Sequence, residues 1–161
     1  MPLPPPAPAD VVRRYFDACN TGDRDALLAT MTDDVVHHFL APQVPTIRGA
    51  PALADFWIKW HRALDPRWAI DRLVADGDTV VAEWSVLWTP RGTARRVMMR
   101  GTDWYELRDG RIAEVRAYHG HDPERDSQLP DFDYAGRGYF DPGRTRPSTL
   151  NPATASNRPP A

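Results

Sequence analysis

The sequence predicts an α+β fold in which helices come first and antiparallel strands follow. Helical patterns occupy residues 9–20, 23–32 and 49–64. From residue 68 to 119, apolar and polar residues alternate, with Asp76-Gly77 and Asp109-Gly110 as interruptions. Such alternation is typical of strands, and Asp-Gly favours hairpin turns because glycine adopts positive φ without steric cost. The three helices would then cover one face of the sheet.

Each helix is predicted from apolar spacing and from residues that start or stop it. Ala9 to Asn20 follows a proline-rich, flexible lead-in of residues 1–8, and Thr21-Gly22 ends it. Asp23 suits the N-cap of a shorter helix that reaches Thr30 or Thr32. The third helix starts near Pro51 and ends at Leu64, before Asp65-Pro66. Its broad apolar stripe consists of Leu53, Phe56, Trp57, Trp60 and Leu64.

The predicted strands are residues 35–40, 68–75, 79–88, 97–107 and 111–119. After Gly120 the composition changes, so we expect a C-terminal extension over residues 121–142. Residues 143–161 are rich in Pro, Thr and Asn and nearly devoid of apolar side chains. Such a composition cannot bury enough surface to fold, so it predicts a disordered tail.

Length and charge limit the chain to one domain with a small set of partners. Its 161 residues, 42% of them hydrophobic, suffice for one core. A net charge of −2 gives no reason to expect nucleic acid or an anionic membrane. No apolar run approaches the roughly 20 residues that span a bilayer, and the first residues do not resemble a signal peptide. A single Cys19 fits a reducing compartment, so we expect a soluble, cytoplasmic protein.

The order of these elements resembles the nuclear-transport-factor-2-like superfamily. Asn20-Thr21-Gly22-Asp23 after the first helix, and the residues from Asp109 to Glu114 at the last hairpin, carry this resemblance. The chain looks most similar to the SnoaL-like polyketide cyclases and to their relatives, the limonene-epoxide hydrolases and ketosteroid isomerases. The resemblance spans roughly residues 8–120 and implies a SnoaL-like cone domain over 9–120. It implies a cone-shaped α+β barrel, with three helices on a strongly curved, mainly antiparallel sheet, whose open end admits an apolar small molecule.

Strand alternation divides the side chains of the last two strands between two faces. A three-residue bulged loop at Arg108-Asp109-Gly110 would place Asp103 on one face with Val115 and Ala117. A plain two-residue loop would place Asp103 beside Glu114 and Arg116 instead. We favour the bulged loop, because it buries one carboxylate instead of several charges.

The resemblance also implies which side chains of the other elements face the cone. On the strand 79–88 it directs Val81, Glu83, Ser85 and Leu87 inward. It leaves Trp84 and Trp88 on the outer face, and we therefore expect a homodimer through an outer patch of Trp84, Trp88, Trp104 and Tyr118. The inward residues expected from the short strand and the helices are His37, Phe39, Trp57, Trp60, Tyr15 and Cys19.

These orientations predict a site for acid/base chemistry on an apolar, carbonyl-bearing small molecule. A carboxylate in an apolar cavity has a raised proton affinity, and a nearby histidine would complete an acid/base pair. The catalytic candidates are Asp103, His37, His119 and Glu83. The candidates for substrate binding are Tyr15, Phe39, Trp57, Trp60, Ser85, Tyr105, Val115 and Ala117.

The sequence departs from each relative at a specific position. The working pair of the SnoaL-like cyclases corresponds to Asp103 and Ala117, and Ala117 cannot titrate, so His37 or His119 would substitute. The water-activating triad of the epoxide hydrolases is missing, because Glu83-Trp84-Ser85 and Ala117 stand in its place. Phe39 occupies the position of the base in the ketosteroid isomerases.

The resulting hypothesis is a cofactor-independent cyclase, isomerase or dehydratase. One alternative is an epoxide hydrolase with a rearranged triad of Glu83, Asp103 and a histidine; another is a non-catalytic binding protein. A structural Asp103 that pairs with an arginine also stays open. No metal site is predicted, because His119-x-His121-Asp122 has no further ligand at a suitable spacing.

Overall fold

The computed structural model describes residues 6–40 and 43–140. Within them the elements, in chain order, are α1 (Pro8–Thr21), α2 (Arg24–Thr30), β1 (Met31–Phe39), β2 (Ile47–Arg48), α3 (Ala50–Leu64), β3 (Arg67–Asp76), β4 (Thr79–Trp88), β5 (Val97–Arg108) and β6 (Arg111–His119). The predicted tail of residues 143–161 and the first five residues of the lead-in lie outside the described residues.

The helices begin and end at the residues that the sequence indicates. Gly22 ends α1 with a left-handed φ of 66°. The Asp23 side chain then caps α2 by accepting a hydrogen bond from the Ala26 amide at 3.0 Å. Together α1 and α2 form a helical pair whose apolar residues face the sheet.

The six strands form one sheet in the order β2-β1-β6-β5-β4-β3. Only β1 and β6 run parallel; every other neighbouring pair in the described chain is antiparallel. Three helices packed on a mostly antiparallel, unclosed sheet confirm the predicted α+β fold class. The two-residue strand β2 is not predicted from the sequence, because so short a segment has no readable alternation.

In the last hairpin, Asp103 shares a face with Ala117 as predicted, but the additional residue is not in the turn. Asp109 and Gly110 form a two-residue turn with φ of 52° and 70°, so the predicted three-residue loop is wrong. The additional residue lies in β6 instead, where Ala113 has no partner between the pairs Leu107–Ile112 and Glu106–Glu114. This bulge shifts the register by one, and Asp103 lies opposite Ala117.

The predicted orientation of β4 is wrong. Ala82 pairs with Asp103, and cross-strand partners share a face, so the inward residues of β4 are the other alternating set. Its members Val80, Ala82, Trp84, Val86 and Trp88 all belong to the core under the helices. The apolar set of the strand therefore faces the apolar helices, as burial of apolar surface requires.

The outer face of the sheet is partly covered by the C-terminal extension. Phe140 packs there against Ala69, Leu87 and Met98. Trp104 and Tyr118 remain 41% and 49% exposed. Trp84 and Trp88 are buried on the opposite face and cannot contribute to the expected outer dimer patch. The homodimer itself stays a prediction. No helix in the described part of the chain is long and apolar enough to cross a membrane.

Candidate functional site

An open cavity of about 510 Å³ lies between the helices and the inner face of the sheet. Its lining includes Phe39, Phe56, Trp57, Trp60, Leu64, Trp68, Trp88, Met99, His119, His121 and Pro123. The volume falls in the range of small-molecule sites, and the walls are mainly aromatic. The predicted binding residues Phe39, Trp57 and Trp60 are thus at the cavity surface.

The aromatic side chains of the cavity wall pack against one another mostly edge to face. Trp57 lies edge-on to both Trp60 and Trp68, with ring centroids 6.0 and 5.8 Å apart. Trp88 stacks between Trp60 and His121, at 6.0 and 5.2 Å. Such a wall offers flat, apolar surface and suits a ligand that carries rings.

Trp57 connects this wall to a group of buried polar side chains. Its indole N–H donates a short hydrogen bond to the Tyr15 hydroxyl. The Tyr15 ring in turn lies 6.0 Å from that of Tyr105, edge to face. Tyr15, Tyr105, Val115 and Ala117 are all buried. They are absent from the cavity lining, so the prediction that they bind substrate directly lacks support.

Asp103 is a buried carboxylic acid on the inner face of β5. It is 6% exposed, and its Oδ2 accepts a hydrogen bond from the Tyr105 hydroxyl at 3.0 Å. Its Oδ1 and the nearby Trp84 Nε1 have no hydrogen-bond partner at normal geometry among the described residues. Burial raises the pKa of Asp103 to about 7, although the Trp84 indole N–H and the Tyr105 hydroxyl oppose the rise. This carboxyl group can therefore gain or lose a proton near neutral pH.

Asp103 lies just below the cavity floor. The floor includes Met99 and His119, and His119 pairs with Gly101 across the strands β5 and β6. The next inward-facing pair along these strands is Asp103 with Ala117. Asp103 itself does not line the cavity, and along β5 Gly101 lies between it and the lining residue Met99.

His119 is the candidate histidine that reaches the cavity. It lines the cavity and its ring lies 5.7 Å from Trp84. Burial lowers the pKa of His119, so its imidazole is mostly neutral near pH 7. Its Nδ1 has no hydrogen-bond partner among the described residues. A neutral imidazole can accept a proton at one nitrogen and donate one from the other.

His37 lies deeper, behind the aromatic wall. It is 1% exposed, stacks on Phe39 at 4.1 Å and lies edge-on to Trp57. Burial, followed by His119 and His38, lowers the pKa of His37 to about 3, so the ring is neutral. Neither of its nitrogens has a hydrogen-bond partner among the described residues. The inward orientation predicted for His37 and Phe39 agrees with their register opposite Val115 and Ala117.

Glu83 and Ser85 lie outside the cavity, and their predicted inward orientation is wrong. Ala82 pairs with Asp103 on the inner face, so Glu83 and Ser85, which belong to the other alternating set of β4, face away from the helices. On the outer face, Glu83 accepts a hydrogen bond from the Tyr139 hydroxyl at 2.7 Å. Ser85 donates one to Asp71. A triad of Glu83, Asp103 and a histidine cannot share one cavity in this fold.

The sequence interpretation missed Trp68, Trp88 and His121 as lining residues. The signal for Trp88 was present, because it continues the apolar alternate set of β4. His121 follows the last strand, where no periodic pattern predicts a contact. No group of three or more His, Cys, Asp or Glu residues within 6–40 and 43–140 is arranged to hold a metal ion.

Comparisons with known proteins agree with this architecture. A protein of unknown function with a cystatin-like fold from Methylobium petroleophilum is 29% identical, covers 88% of this chain and 95% of its own, and has a TM-score of 0.64. An LEH-like epoxide hydrolase from M. tuberculosis is 25% identical over 70% of this chain and 82% of its own, with a TM-score of 0.62. A putative polyketide cyclase from Xanthomonas campestris is 29% identical over 70% and 90%, with a TM-score of 0.58. No curated protein matches the chain.

The family comparison covers most of the described domain. The model of the SnoaL-like domain matches residues 12–115, which extend from α1 into β6 and include Asp103, His37 and most of the cavity wall. The chain therefore belongs to the SnoaL-like domain family.

Proposed function

We propose that this protein is a cofactor-independent enzyme that moves a proton on a carbonyl-bearing, ring-containing small molecule, as a cyclase, isomerase or dehydratase does. The observation that carries the proposal is Asp103, a buried acid that forms no ion pair among the described residues and lies next to an aromatic cavity. A pKa near the working pH is what general acid/base catalysis requires.

In the proposed step, the Asp103 carboxylate removes a proton from the carbon next to a carbonyl. The C–H electron pair moves into the carbonyl and leaves an enolate, while Asp103 becomes neutral. The proton then returns to another carbon or oxygen of the ligand, which restores the carboxylate. The reacting carbon must enter the deep end of the cavity, near Gly101 and His119, because Asp103 belongs to the next pair below.

His119 is the proposed second group. Its neutral imidazole lines the cavity and can donate a hydrogen bond to the developing enolate oxygen. It would replace the group that the cyclases carry where this chain has Ala117. His37 has no step in this proposal, because Phe39 and Trp57 lie between it and the cavity.

Exchange of α-protons in a bicyclic ketone tests the proposal without knowledge of the natural substrate. With 2-tetralone in deuterated buffer, the wild-type protein should accelerate deuterium incorporation, measured by NMR. The rate should rise with pH through about 7, because the carboxylate is the active form. Asp103→Asn should lower the rate by about 10² to 10⁴-fold while the ketone still binds.

Asp34→Asn is the control, since it alters an exposed carboxylate of β1 that pairs with Arg108 and does not line the cavity. It should leave the exchange rate unchanged. A wild-type rate equal to that of Asp103→Asn would reject the proposed mechanism.

A non-catalytic binding protein is the second candidate. It is favoured by Ala117, which cannot titrate, and by the absence of Asp103 from the cavity lining. In that case 2-tetralone would bind and quench tryptophan fluorescence, yet no exchange above background would follow.

A further inference from the structure

The C-terminal extension forms a strap, residues 121–140, that runs from the cavity mouth to the outer face of the sheet. At its start, His121 and Pro123 line the cavity, and His121 stacks on Trp88 at 5.2 Å. Further on, the strap is fastened to the edge of β5. The Met98 amide donates to Asp126 at 2.8 Å, and Met98 accepts from the Ser127 amide at 2.9 Å.

The end of the strap lies against three polar side chains of the sheet, Asp71 on β3, Ser85 on β4 and Arg100 on β5. We name these three residues the clasp. The clasp holds both backbone groups of Phe140. Asp71 Oδ1 accepts from the Phe140 amide at 2.7 Å, and the Arg100 guanidinium donates to the Phe140 carbonyl at 3.2 Å. Asp71 and Arg100 are buried, with side chains 2% and 10% exposed. A charged pair in this position gains most when its remaining hydrogen-bonding capacity is filled, and Phe140 fills part of it.

Side chains of the strap complete the attachment. The Phe140 ring is 5% exposed and packs in the apolar cluster of Ala69, Leu87 and Met98. The Arg100 guanidinium lies 3.7 Å from the centroid of the Tyr134 ring, a distance at which cation–π attraction is strong. A bulge in β3, between Ile70 and Arg72, leaves Asp71 without a partner in β4, and on the outer face Ser85 donates a hydrogen bond to it.

The clasp is thus a binding site for one aromatic residue and its backbone, and that residue belongs to the segment that also forms the cavity mouth. We propose that Phe140 is a positioning residue: by occupying the clasp it holds the strap in place, and so keeps His121 and Pro123 as part of the cavity wall. Once the strap is free to move, nothing would hold His121 against Trp88 or keep Pro123 in the cavity wall. This inference concerns ligand binding and does not depend on the proposed proton transfer.

Binding of 2-naphthol to the full-length chain, followed by quenching of tryptophan fluorescence, tests the inference. Phe140→Ala should raise the Kd for 2-naphthol by about fivefold or more, because part of the wall is lost. Phe140→Leu, which refills the apolar cluster, should stay close to the wild type. Leu129→Ala is the matched control, because Leu129 lies on the same strap, is 62% exposed and contributes to no apolar cluster among the described residues.

A double-mutant cycle with His121→Ala separates positioning from a general loss of stability. If Phe140 acts by holding His121 in the cavity wall, the double variant should bind 2-naphthol little worse than His121→Ala alone. Fully additive losses, or a Phe140→Ala variant with wild-type affinity, would overturn the inference.

Tyr139→Ala keeps the test decisive if Phe140→Ala does not fold. This side chain is only half-buried, and its hydroxyl and ring fasten the strap to Glu83 and Arg72. It should weaken 2-naphthol binding in the same direction, though less. It should also speed hydrogen exchange at the Ser127 and Phe140 amides, while unchanged affinity and exchange would contradict the inference.

Discussion

The two faces of the sheet each bury one carboxylate, and they surround it in opposite ways. On the inner face, the groups that favour the Asp103 carboxylate are two neutral donors, the Tyr105 hydroxyl and the Trp84 indole N–H, and no cation pairs with it among the described residues. On the outer face, Asp71 accepts from Ser85 and from the Phe140 amide and lies 3.9 Å from the Arg100 guanidinium. Burial raises the pKa of both carboxyl groups.

This difference in surroundings fits a structural role for Asp71 and the proposed acid/base role for Asp103. Asp71 is surrounded by donors, so its loss would leave the Ser85 hydroxyl and the Phe140 amide without this acceptor and would remove the carboxylate that lies beside Arg100. Asp103 has only neutral donors beside it and a pKa near neutrality, so it can gain or lose a proton without breaking an ion pair. Burial of a carboxylate alone does not distinguish these roles; the presence of a cation beside Asp71 and of neutral donors only beside Asp103 does.

The largest expected effect concerns the paired carboxylate. Asp71→Ala should lower the free energy of unfolding by about 3 to 5 kcal/mol, because the largely buried Arg100 loses its neighbouring negative charge and two buried donors lose their acceptor. Urea denaturation measures this change. Asp55→Ala is the control, since its ion pair with Arg24 is 66% exposed on the aspartate side and should contribute only about 0 to 1 kcal/mol. Equal losses in the two variants would remove the distinction between buried and exposed pairs.

A second effect concerns the unpaired carboxylate and depends on pH. Asp103 has a pKa of about 7 when folded, against about 3.9 in an unfolded chain, so the folded state binds the extra proton between these values. Its contribution to stability is complete below about pH 4 and is lost as the pH rises through about 7. Because asparagine does not titrate, the Asp103→Asn variant does not lose this stability as the pH rises.

The stability of Asp103→Asn relative to wild type should therefore improve on the order of 2 kcal/mol between pH 5 and pH 8. Urea denaturation at both pH values measures it. The opposite dependence of His37 is common to both proteins and cancels in the difference. A difference that does not vary with pH would mean that Asp103 is ionised in both states.

The smallest effect tests how tightly the inner face is packed beside Asp103. A Cβ at Gly101 would lie 2.5 Å from the Trp84 ring and 2.8 Å from the His119 Cβ. Gly101→Ala should cost about 1 to 2 kcal/mol of stability, measured by thermal unfolding. Gly120→Ala is the control, because its Cβ would have no neighbour within 4 Å in the described chain. A cost no larger than that of Gly120→Ala would show that Trp84 and His119 can move enough to accommodate the added methyl group.

Much of this fold could be predicted because local patterns are strong where the elements are regular. The strands Thr79–Trp88 and Arg111–His119 have the predicted bounds, since Asp-Gly turns and alternation define both ends. The helix caps at Gly22 and Asp23 follow equally local rules. Asp103 also faces Ala117 as predicted, although the additional residue lies at Ala113 instead of in the turn.

The β4 orientation was wrong although the sequence contained the correct signal. The set with Val80, Trp84 and Trp88 is wholly apolar, and an apolar set should face the helices. The inward choice of Glu83 and Ser85 came from a resemblance. The chain's own pattern was the better guide here, since this outer face is occupied by the strap.

By itself, the sequence determined the helices, the strands, their turns and the two alternating sets of each strand, because these depend on spacings of a few residues. Only the tertiary structure decided which set of β4 lines the core, that β3 has a bulge at Asp71, and that Asp71 binds the amide of Phe140, 69 residues further along the chain. Such contacts depend on register and chain path, which no local periodicity encodes. The candidate site depends on both: the inward position of Asp103 could be predicted from the strand, whereas its hydrogen bond from Tyr105 and its place below the cavity floor could not.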